Sequence, residues 1–482
     1  MTLFNQIIKQ FNNTLIGLIA LAVSGLSVQA NESATQLPDL GSPDLVVYDQ
    51  STEERLGRAF TASLHKNFKL NHDPAINHYI RQLGHKIAGY TGNDRHYAFY
   101  VIDNDSINAF AGPNGVIGIH TGLIKSVRSE DELAAVIAHE IAHVTQNHLS
   151  RRYEYASTEG NIKSFATLLA AILIGSQDAN AGAAALMGGI SFNIQEQLKN
   201  SRVHEAEADA IGIQLLHKSG YNPHAMGHFF DYLAKQSGSN GIKVPEILRT
   251  HPISQRRLAE AENRAQQLTY TPNQSHTDDF NLVRNRLIGA TQPLANGDVF
   301  KKTPAKLQCY QSLYSQPTSV SSPCLKQFIF NLKASPMYFS QYIKHYQTQT
   351  KTESVNNKII QHANLLLELY PNNPELVLNY AQFLNQLGKQ QTSIQLLKKH
   401  LTFTQYQYPL HQHLAEEYGK TNKQGYAYIH LAFANMEIGH IQRGKHYLDQ
   451  AKKLTNEAKP ELNNLIFLFE NKFDKLLINI EK

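Results

Sequence analysis

The segment AVIAHEIAHVTQNHL, residues 135–149, decides the fold of this chain. Its apolar residues fall on nearly every side of a helix, a pattern typical of a helix buried inside a protein. His139, Glu140 and His143 lie within this apolar run. Burying a carboxylate and two imidazoles without partners is costly, so we expect these side chains to be paired or to bind an ion.

The spacing of the two histidines indicates a metal ion. His139 and His143 are four residues apart and project from one face of a helix, one turn from each other, so both imidazoles can bind the same metal. Glu140 lies beside them, where a carboxylate can accept a proton from a water molecule that the metal activates. Ser129, followed three residues later by Glu132, predicts a capping box that begins this helix.

A third ligand is expected from HEAEADAIG, residues 204–212. Glu205 and Asp209 are four residues apart and share a helix face. Glu205 completes a His–His–Glu set that favours zinc and leaves one coordination position open. Asp209 would accept a hydrogen bond from a ligand histidine. Glu207 is the competing ligand, but it points to another side of the helix and has no carboxylate partner four residues later.

Three motifs, in their order along the chain, resemble a known family. NAFAGPNGVIGIHTGLI (108–124), SEDELAAVIAHEIAHVTQNH (129–148) and HEAEADAIG (204–212) are similar to the zinc metallopeptidase family that includes HtpX and the CAAX prenyl proteases. The resemblance implies a gluzincin-type metalloprotease domain with one Zn²⁺ ion. It also implies that the strand at Val116–His120 is an edge strand that holds substrate by strand addition.

The remaining histidines are interpreted one by one. His251 opens HPISQRR, residues 251–257, and in exported members of the family a histidine at this kind of position lies near the metal. Three roles stay open for His251: filling the open coordination position so that the enzyme is latent, stabilising an oxyanion, or forming an ordinary turn before proline. His148 and His204 are expected to point away from the ligands.

The first half of the chain also predicts two strands among helices. HYAFYVID, residues 96–103, alternates and is rich in aromatic and β-branched residues. Gly-Pro-Asn-Gly at 112–115 predicts a turn, and VIGIHTG at 116–122 predicts a second strand. We expect the two strands to form a hairpin. The flanking segments have helical periodicity, so the predicted fold is mainly α with a small β-sheet.

The C-terminal half is helical throughout. Residues 357–401 and 414–454 predict helix pairs with glycines at the bends, and this pattern resembles degenerate tetratricopeptide (TPR) repeats. The predicted organisation is a signal peptide at 1–30, a metallopeptidase domain at 31–270, a linker and helical region at 271–340, and TPR-like repeats at 341–482.

The N-terminal segment predicts export. An apolar run from Leu15 to Val28 ends in a small-x-small pattern at Ala30, which is typical of a cleaved secretory signal. A membrane anchor is the alternative, but the run is too short to span a bilayer comfortably. Because export favours oxidation, Cys309 and Cys324 are predicted to form a disulfide; two free buried thiols are the alternative.

Two further features limit the possible functions. The 482 residues contain 45 Lys and Arg against 40 Asp and Glu, without a clustered basic run, and this argues against nucleic-acid binding. The Ala- and Gly-rich insert at 150–200 is too short in its apolar runs to span a membrane, so no transmembrane segment is expected after signal cleavage. The insert is interpreted as a lid, a surface-docking element or ordinary packed helices.

These predictions indicate a zinc-dependent endopeptidase of the periplasm, and a peripheral position at the outer membrane is left open. The resemblance to exported family members implies that its clients are misfolded or stalled outer-membrane β-barrel proteins. It also implies that the TPR-like region binds the β-barrel assembly machinery. Two alternatives stay open: a chaperone or scaffold with latent or secondary proteolysis, and a purely structural zinc domain. Glu140 disfavours the last, because a structural site needs no proton acceptor.

Overall fold

The computed structural model describes residues 49–151, 194–237, 245–270, 277–291, 307, 310, 326–346, 352–455 and 460–478. Three predictions fall wholly or largely outside these ranges: the signal peptide at 1–30, the insert at 150–200, and the disulfide between Cys309 and Cys324. They stay predictions.

The chain begins with two capped helices, α1 (Gln50–Asn67) and α2 (Pro74–Ala88). Asp49 caps α1 by accepting a hydrogen bond from the backbone N–H of Thr52 at 2.8 Å. Asp73 caps α2 in the same way, and a proline occupies the first turn, where its missing N–H costs nothing.

A three-stranded sheet follows, formed by β1 (Ala98–Ile102), β2 (Ala109–Ala111) and β3 (Val116–His120). The strand order is β1-β3-β2, with β3 parallel to β1 and antiparallel to β2. The hairpin therefore joins β2 to β3, so the predicted pairing of the first strand with β3 in a hairpin is wrong. The turn is tight, since Asn114 and Gly115 have φ of 57° and 69°.

The central position of β3 also overturns a second expectation. Ile117 pairs with Phe99 on one side and with Ala111 on the other. The prediction that Val116–His120 is an edge strand is therefore wrong, because both of its sides already carry backbone hydrogen bonds. The three-residue β2 takes the edge, and it lies against the helix that carries the two histidines of the metal motif.

That helix is α4 (Glu130–Thr145), which follows the short helix α3 (Thr121–Ser126). Ser129 caps it by accepting from the N–H of Glu132 at 3.2 Å, and the Glu132 carboxylate accepts from the N–H of Arg128 at 2.7 Å. The predicted cap is confirmed, although the glutamate reaches one residue further back than in an ordinary capping box. Nearly every residue of α4 is buried, as the sequence predicts.

Four helices complete this part: α5 (Ile194–Lys218), α6 (Ala225–Ser237), α7 (Ile247–Thr250) and α8 (Gln255–Gln266). Helix α5 crosses α4 closely. A Cβ atom added at Gly212 would lie 3.3 Å from the backbone N and Cα of His139. Glycine at this position therefore brings the two metal-motif helices together.

The rest of the described chain is a helical array. Each of the last seven helices packs against the next one, and positive φ values at Gly388 and Gly439 mark the ends of two of them. The helices are α9 (Thr277–Thr291), α10 (Lys326–Ile329), α11 (Pro336–Tyr346), α12 (Glu353–Leu369), α13 (Pro374–Gln386), α14 (Gln390–Leu401), α15 (Tyr408–Lys420), α16 (Gln424–Glu437), α17 (Ile441–Lys452) and α18 (Pro460–Ile478).

A buried ion-pair cluster joins the array to the first helices. The Arg286 guanidinium on α9 donates to Asp73 at the start of α2 and to Glu375 at the start of α13. The prediction of a mainly helical fold with a small sheet is confirmed, while the exact domain boundaries stay predictions. Within the described ranges, no helix is both long enough and apolar enough to cross a membrane.

Candidate metal centre

Four side chains from three segments converge at the crossing of α4 and α5. His139 and His143 come from α4, Glu205 comes from α5, and His251 follows α7. The Nε2 atoms of the two α4 histidines are 3.1 Å apart. Glu205 Oε2 lies 3.4 Å from His139 Nε2, and Glu205 Oε1 lies 3.5 Å from His143 Nε2.

These distances fit a metal ion held between the donors. Zinc binds nitrogen and oxygen at about 2.0–2.2 Å in a tetrahedron, which sets its ligand atoms roughly 3.3–3.5 Å from one another. One donor atom from each of the four residues lies within 4.8 Å of all the others. The predicted ligands His139, His143 and Glu205 are thus brought together, and two imidazoles with a carboxylate form a donor set suited to zinc.

The environment of the Glu140 side chain is a second indication that this cluster binds a metal ion and a water molecule. Its side chain is 1% exposed, and in the described part of the chain neither of its carboxylate oxygens has a hydrogen-bond partner. The Nε2 atom of His251 lies 3.6 Å from Oε1 of Glu140, beyond hydrogen-bond distance. A buried carboxylate without partners is costly, so this geometry suits a residue that works on a water molecule.

Asp209 lies behind the ligands, as the sequence predicts. Its Oδ1 is 3.0 Å from Nδ1 of His139, the ring nitrogen that faces away from the other donors. Arg257 on α8 donates to both oxygens of Asp209, at 2.7 and 2.8 Å, and its Nη1 lies 3.1 Å from Glu205. Arg257 thus holds the Asp209 carboxylate beside the ring of one candidate ligand, and its positive charge offsets the buried negative charge of Asp209 and Glu205.

Burial and neighbouring charges shift the pKa values of the three candidate ligands in different directions. Burial by itself acts to lower the pKa of His139, but the carboxylates of Asp209 and Glu205 outweigh it and raise the pKa to about 10. Burial lowers the pKa of His143 well below its usual range. Burial acts to raise the pKa of Glu205, but the surrounding imidazoles outweigh it and lower that pKa well below its usual range.

His251 joins the cluster through Nδ1. This atom lies 3.0 and 3.1 Å from the two oxygens of Glu205 and 3.3 Å from Nε2 of His139. Of the three roles that the sequence leaves open, this geometry suits a fourth ligand. The backbone N–H of Ile247, in the same segment, donates to the carbonyl of Ile107 just before β2, which ties the segment to the sheet edge.

Sequence reasoning missed three participants. Arg257 follows His251 by six residues, and its basic neighbours in HPISQRR gave no sign that it turns inward. His148 was expected to point away, yet its Nδ1 lies 2.8 Å from Nδ1 of His143. Glu207, the competing ligand, contacts His148 and Arg151 instead of the donor cluster.

The comparisons with known proteins agree with this geometry. Residues 74–265 match the model of Peptidase family M48. The chain is 35% identical to a "Beta-barrel assembly-enhancing protease" of Escherichia coli (strain K12) over 288 residues, covering 60% of this chain and 58% of the relative. It is 33% identical to the protein of that name from Yersinia pestis over 309 residues, covering 60% and 63%. A "Putative beta-barrel assembly-enhancing protease" of Vibrio cholerae is 34% identical over 282 residues, covering 58% and 57%.

The predicted resemblance to a metallopeptidase family is confirmed by these matches. The match to the family model, residues 74–265, includes every residue of the candidate metal centre. The chain spans about three fifths of the length of the curated relatives it matches.

Proposed function

From the premise that residues 74–265 form a domain of Peptidase family M48, we propose that this protein is a zinc-dependent endopeptidase. One observation carries the proposal: the convergence of His139, His143 and Glu205, beside the buried carboxylate of Glu140, which accepts no hydrogen bond from the described residues. A structural zinc site would satisfy its ligands without such a carboxylate, so the geometry favours catalysis.

The chain's own residues would divide the work as follows. When bound, zinc would supply Lewis-acid activation of a water molecule and of the scissile carbonyl group. Glu140 accepts the proton of the attacking water and delivers it to the leaving amine. Asp209 keeps His139 in the ring orientation that a ligand needs, and Arg257 holds Asp209 in place.

The outer edge of β2 is the proposed binding site for the substrate backbone. Gly112 and Asn108 exchange hydrogen bonds with β3, so the backbone groups of Ala109 and Ala111 face away from the sheet. An extended peptide can add to such an edge. This places the proposed peptide-binding strand on β2, next to α4, in place of the β3 edge that the sequence suggested.

In the conformation described here, the proposed cleft is closed. The cavity beside His139 measures only about 20 Å³ and is lined in part by Ile247, His251 and Ile253. This volume is close to that of a single water molecule, so this cavity has no room for a peptide side chain while the 247–253 segment stays in place. We propose that His251 holds the enzyme latent as a fourth ligand and must leave before a substrate binds.

The proposed clients are misfolded or stalled outer-membrane β-barrel proteins, and the proposed location is the periplasm, near the outer membrane. The names of the relatives support the client class, and the predicted signal at 1–30 supports export. The helical array, proposed to consist of TPR-like repeats, would bind the β-barrel assembly machinery.

A chaperone or scaffold role is the second candidate. Helix α12 exposes Leu365 and Leu369, which are 41% and 56% exposed and lie four residues apart on one face. Exposed apolar residues on a helical array suit the transient binding of unfolded chains. In this alternative, the array performs the main function and proteolysis is secondary.

The deciding experiment compares the zinc-loaded wild-type chain with Glu140→Gln, using an unfolded outer-membrane β-barrel protein as substrate. Loss of a general base costs about 100- to 10,000-fold in rate, so Glu140→Gln should leave zinc content unchanged and abolish detectable fragments. Glu262→Gln, the same change at an exposed position on α8, serves as the matched control.

The outcomes separate the candidates. The peptidase function is supported if wild type and Glu262→Gln cleave the substrate and Glu140→Gln does not. If no variant cleaves, including His251→Ala, and all bind zinc and the client, the chaperone role replaces it. Equal cleavage by Glu140→Gln would overturn the assignment of the proton acceptor.

A further inference from the structure

The two ligand histidines of α4 are supported in different ways. His139 is backed directly by the carboxylate of Asp209. Within the described residues, no ion pair joins Nδ1 of His143 to a carboxylate; this atom lies 2.8 Å from Nδ1 of another imidazole, His148. His148 is 3% exposed, so this contact is made inside the protein, where water cannot easily replace it.

We infer that His148 and Glu207 act together as positioning residues that keep Nε2 of His143 available to the metal. The inference rests on the proposed function, since it concerns the ligand set of the same site. It adds two residues that are neither ligands nor the proton acceptor.

Each hydrogen bond needs one donor and one acceptor, and this requirement assigns the ring protons of His143 and His148. His143 faces the donor cluster with Nε2, so as a neutral ligand it must carry its proton on Nδ1. Nδ1 of His148 must then accept that proton, which leaves the proton of neutral His148 on Nε2. A carboxylate oxygen only accepts, and Glu207 Oε2 lies 3.1 Å from His148 Nε2.

Glu207 therefore selects one tautomer of His148, and His148 selects one tautomer of His143. Loss of the Glu207 acceptor would weaken the preference of His148 for a proton on Nε2 and increase the population with the proton on Nδ1. Two N–H groups would then face each other between the imidazoles unless the proton of His143 moved to Nε2. That nitrogen would no longer be able to bind a metal.

Two neighbours hold the pair in position. The Arg151 guanidinium donates to the same Glu207 oxygen at 3.1 Å, which keeps the carboxylate turned toward His148. On the other side, the ring of His204 stacks on that of His148, with centroids 4.4 Å apart and planes 16° from parallel. The stacked ring fixes the plane of His148, and therefore the direction of its two nitrogens.

The test measures zinc affinity of the full chain by competition with a chelator, because loss of an outer partner typically costs about 10- to 100-fold in metal affinity. His148→Ala should lose affinity in this range. His148→Asn keeps an acceptor close to the position of Nδ1 and should recover most of the loss. Glu207→Ala, at a partly exposed position, should weaken binding by less than His148→Ala.

Two readouts exclude a merely structural effect. The metal-free thermal midpoint of each variant reports folding, and the absorption spectrum of the cobalt-substituted chain reports the ligand geometry. His446→Ala removes an exposed histidine on α17 and should change none of these quantities. Rescue by Asn at an unchanged metal-free midpoint identifies the acceptor, and not the side-chain volume, as the property that matters.

The inference is overturned if His148→Ala and Glu207→Ala both bind zinc as tightly as wild type. It is also overturned if His148→Asn is as weak as His148→Ala while the metal-free midpoints agree. If His148→Ala does not fold, the Glu207→Ala affinity alone decides. A wild-type chain that binds no zinc would instead refute the proposed function, and this inference with it.

Discussion

Arg257 holds Asp209 with two parallel hydrogen bonds of 2.7 and 2.8 Å, although 48 residues separate them in the sequence. Both side chains are more than nine tenths buried. Such a two-point contact fixes the carboxylate in one plane, and Oδ1 of that carboxylate faces Nδ1 of His139 at 3.0 Å. We therefore propose that the orientation of His139, a candidate metal ligand, depends on a helix that lies beyond the metal motifs.

Replacing Asp209 by Asn tests this support. The amide keeps the shape but loses the charge that holds the His139 proton on Nδ1. We therefore expect zinc affinity to fall by about 10- to 100-fold, measured by chelator competition. Asp231→Asn, at an exposed ion pair with Lys235 on α6, should bind zinc normally. Unchanged affinity in Asp209→Asn would show that this carboxylate does not orient the ligand.

Removing the His251 side chain tests latency. If the segment 247–253 has left the metal centre in only one molecule in ten, then removing the His251 side chain that holds it there raises the apparent rate of cleavage by about tenfold. His251→Ala should therefore cleave an unfolded β-barrel protein faster than wild type, while binding zinc less tightly. His228→Ala, at an exposed position on α6, is the control. A folded His251→Ala chain with equal or lower activity contradicts the proposed latency.

The raised pKa of Glu130 leads us to expect that the free energy of unfolding falls as the pH rises. Burial raises its pKa to about 7, although the hydrogen bond from Tyr79 and the charge of Lys86 oppose the shift. The folded chain thus binds this proton more tightly than the unfolded chain. The resulting stabilisation is present at acidic pH and is lost as the pH rises from about 4.5 to about 7, by at most about 3 kcal/mol.

Glu130→Gln removes this proton while keeping an acceptor for the Tyr79 hydroxyl. We expect the variant to lose less stability than wild type between pH 5 and pH 8, as measured by urea unfolding at several pH values. Glu368→Gln changes an exposed carboxyl on α12 and should follow wild type. Parallel pH profiles for wild type and Glu130→Gln would contradict the assignment.

Arg286 is expected to be a major link between the array and the helices of the metal centre. It is 3% exposed and contacts Asp73 and Glu375, whose side chains are 13% and 2% exposed. Removing one member of a buried ion cluster typically costs about 3–5 kcal/mol, because the remaining charges stay buried without a partner.

Arg286→Met should therefore lower the midpoint of urea unfolding markedly. Arg264→Met, an exposed arginine on α8, provides the comparison. A midpoint within error of wild type would show that packing alone holds the array in place.

The metal centre was largely predictable because its information is local. His139 with His143, and Glu205 with Asp209, are pairs four residues apart, and a helix places such pairs on one face whatever surrounds it. The apolar residues around His139 and His143, within residues 135–149, likewise predicted that α4 is buried. These features depend on helix geometry alone.

The errors came from contacts that no local pattern encodes. Strand β2 has only three residues, too few to show the alternation of apolar and polar residues that marks a strand. Without β2, the sequence suggested an antiparallel hairpin of β1 and β3, whereas these two strands are parallel. Arg257 and the pair His148–Glu207 act through side chains 48 and 59 residues apart in sequence. Their partners are set by how helices cross.

The sequence by itself determined the buried helix, its cap, the three converging ligands and the helical character of the C-terminal half, because each follows from periodicity within one or two turns. Tertiary structure decided which strand takes the sheet edge, that His251 enters the ligand cluster, and which groups stand behind each histidine. The physical reason is that these features depend on the distances between separate segments. Those distances are fixed by close packing, as where Gly212 lets α5 approach the backbone of His139.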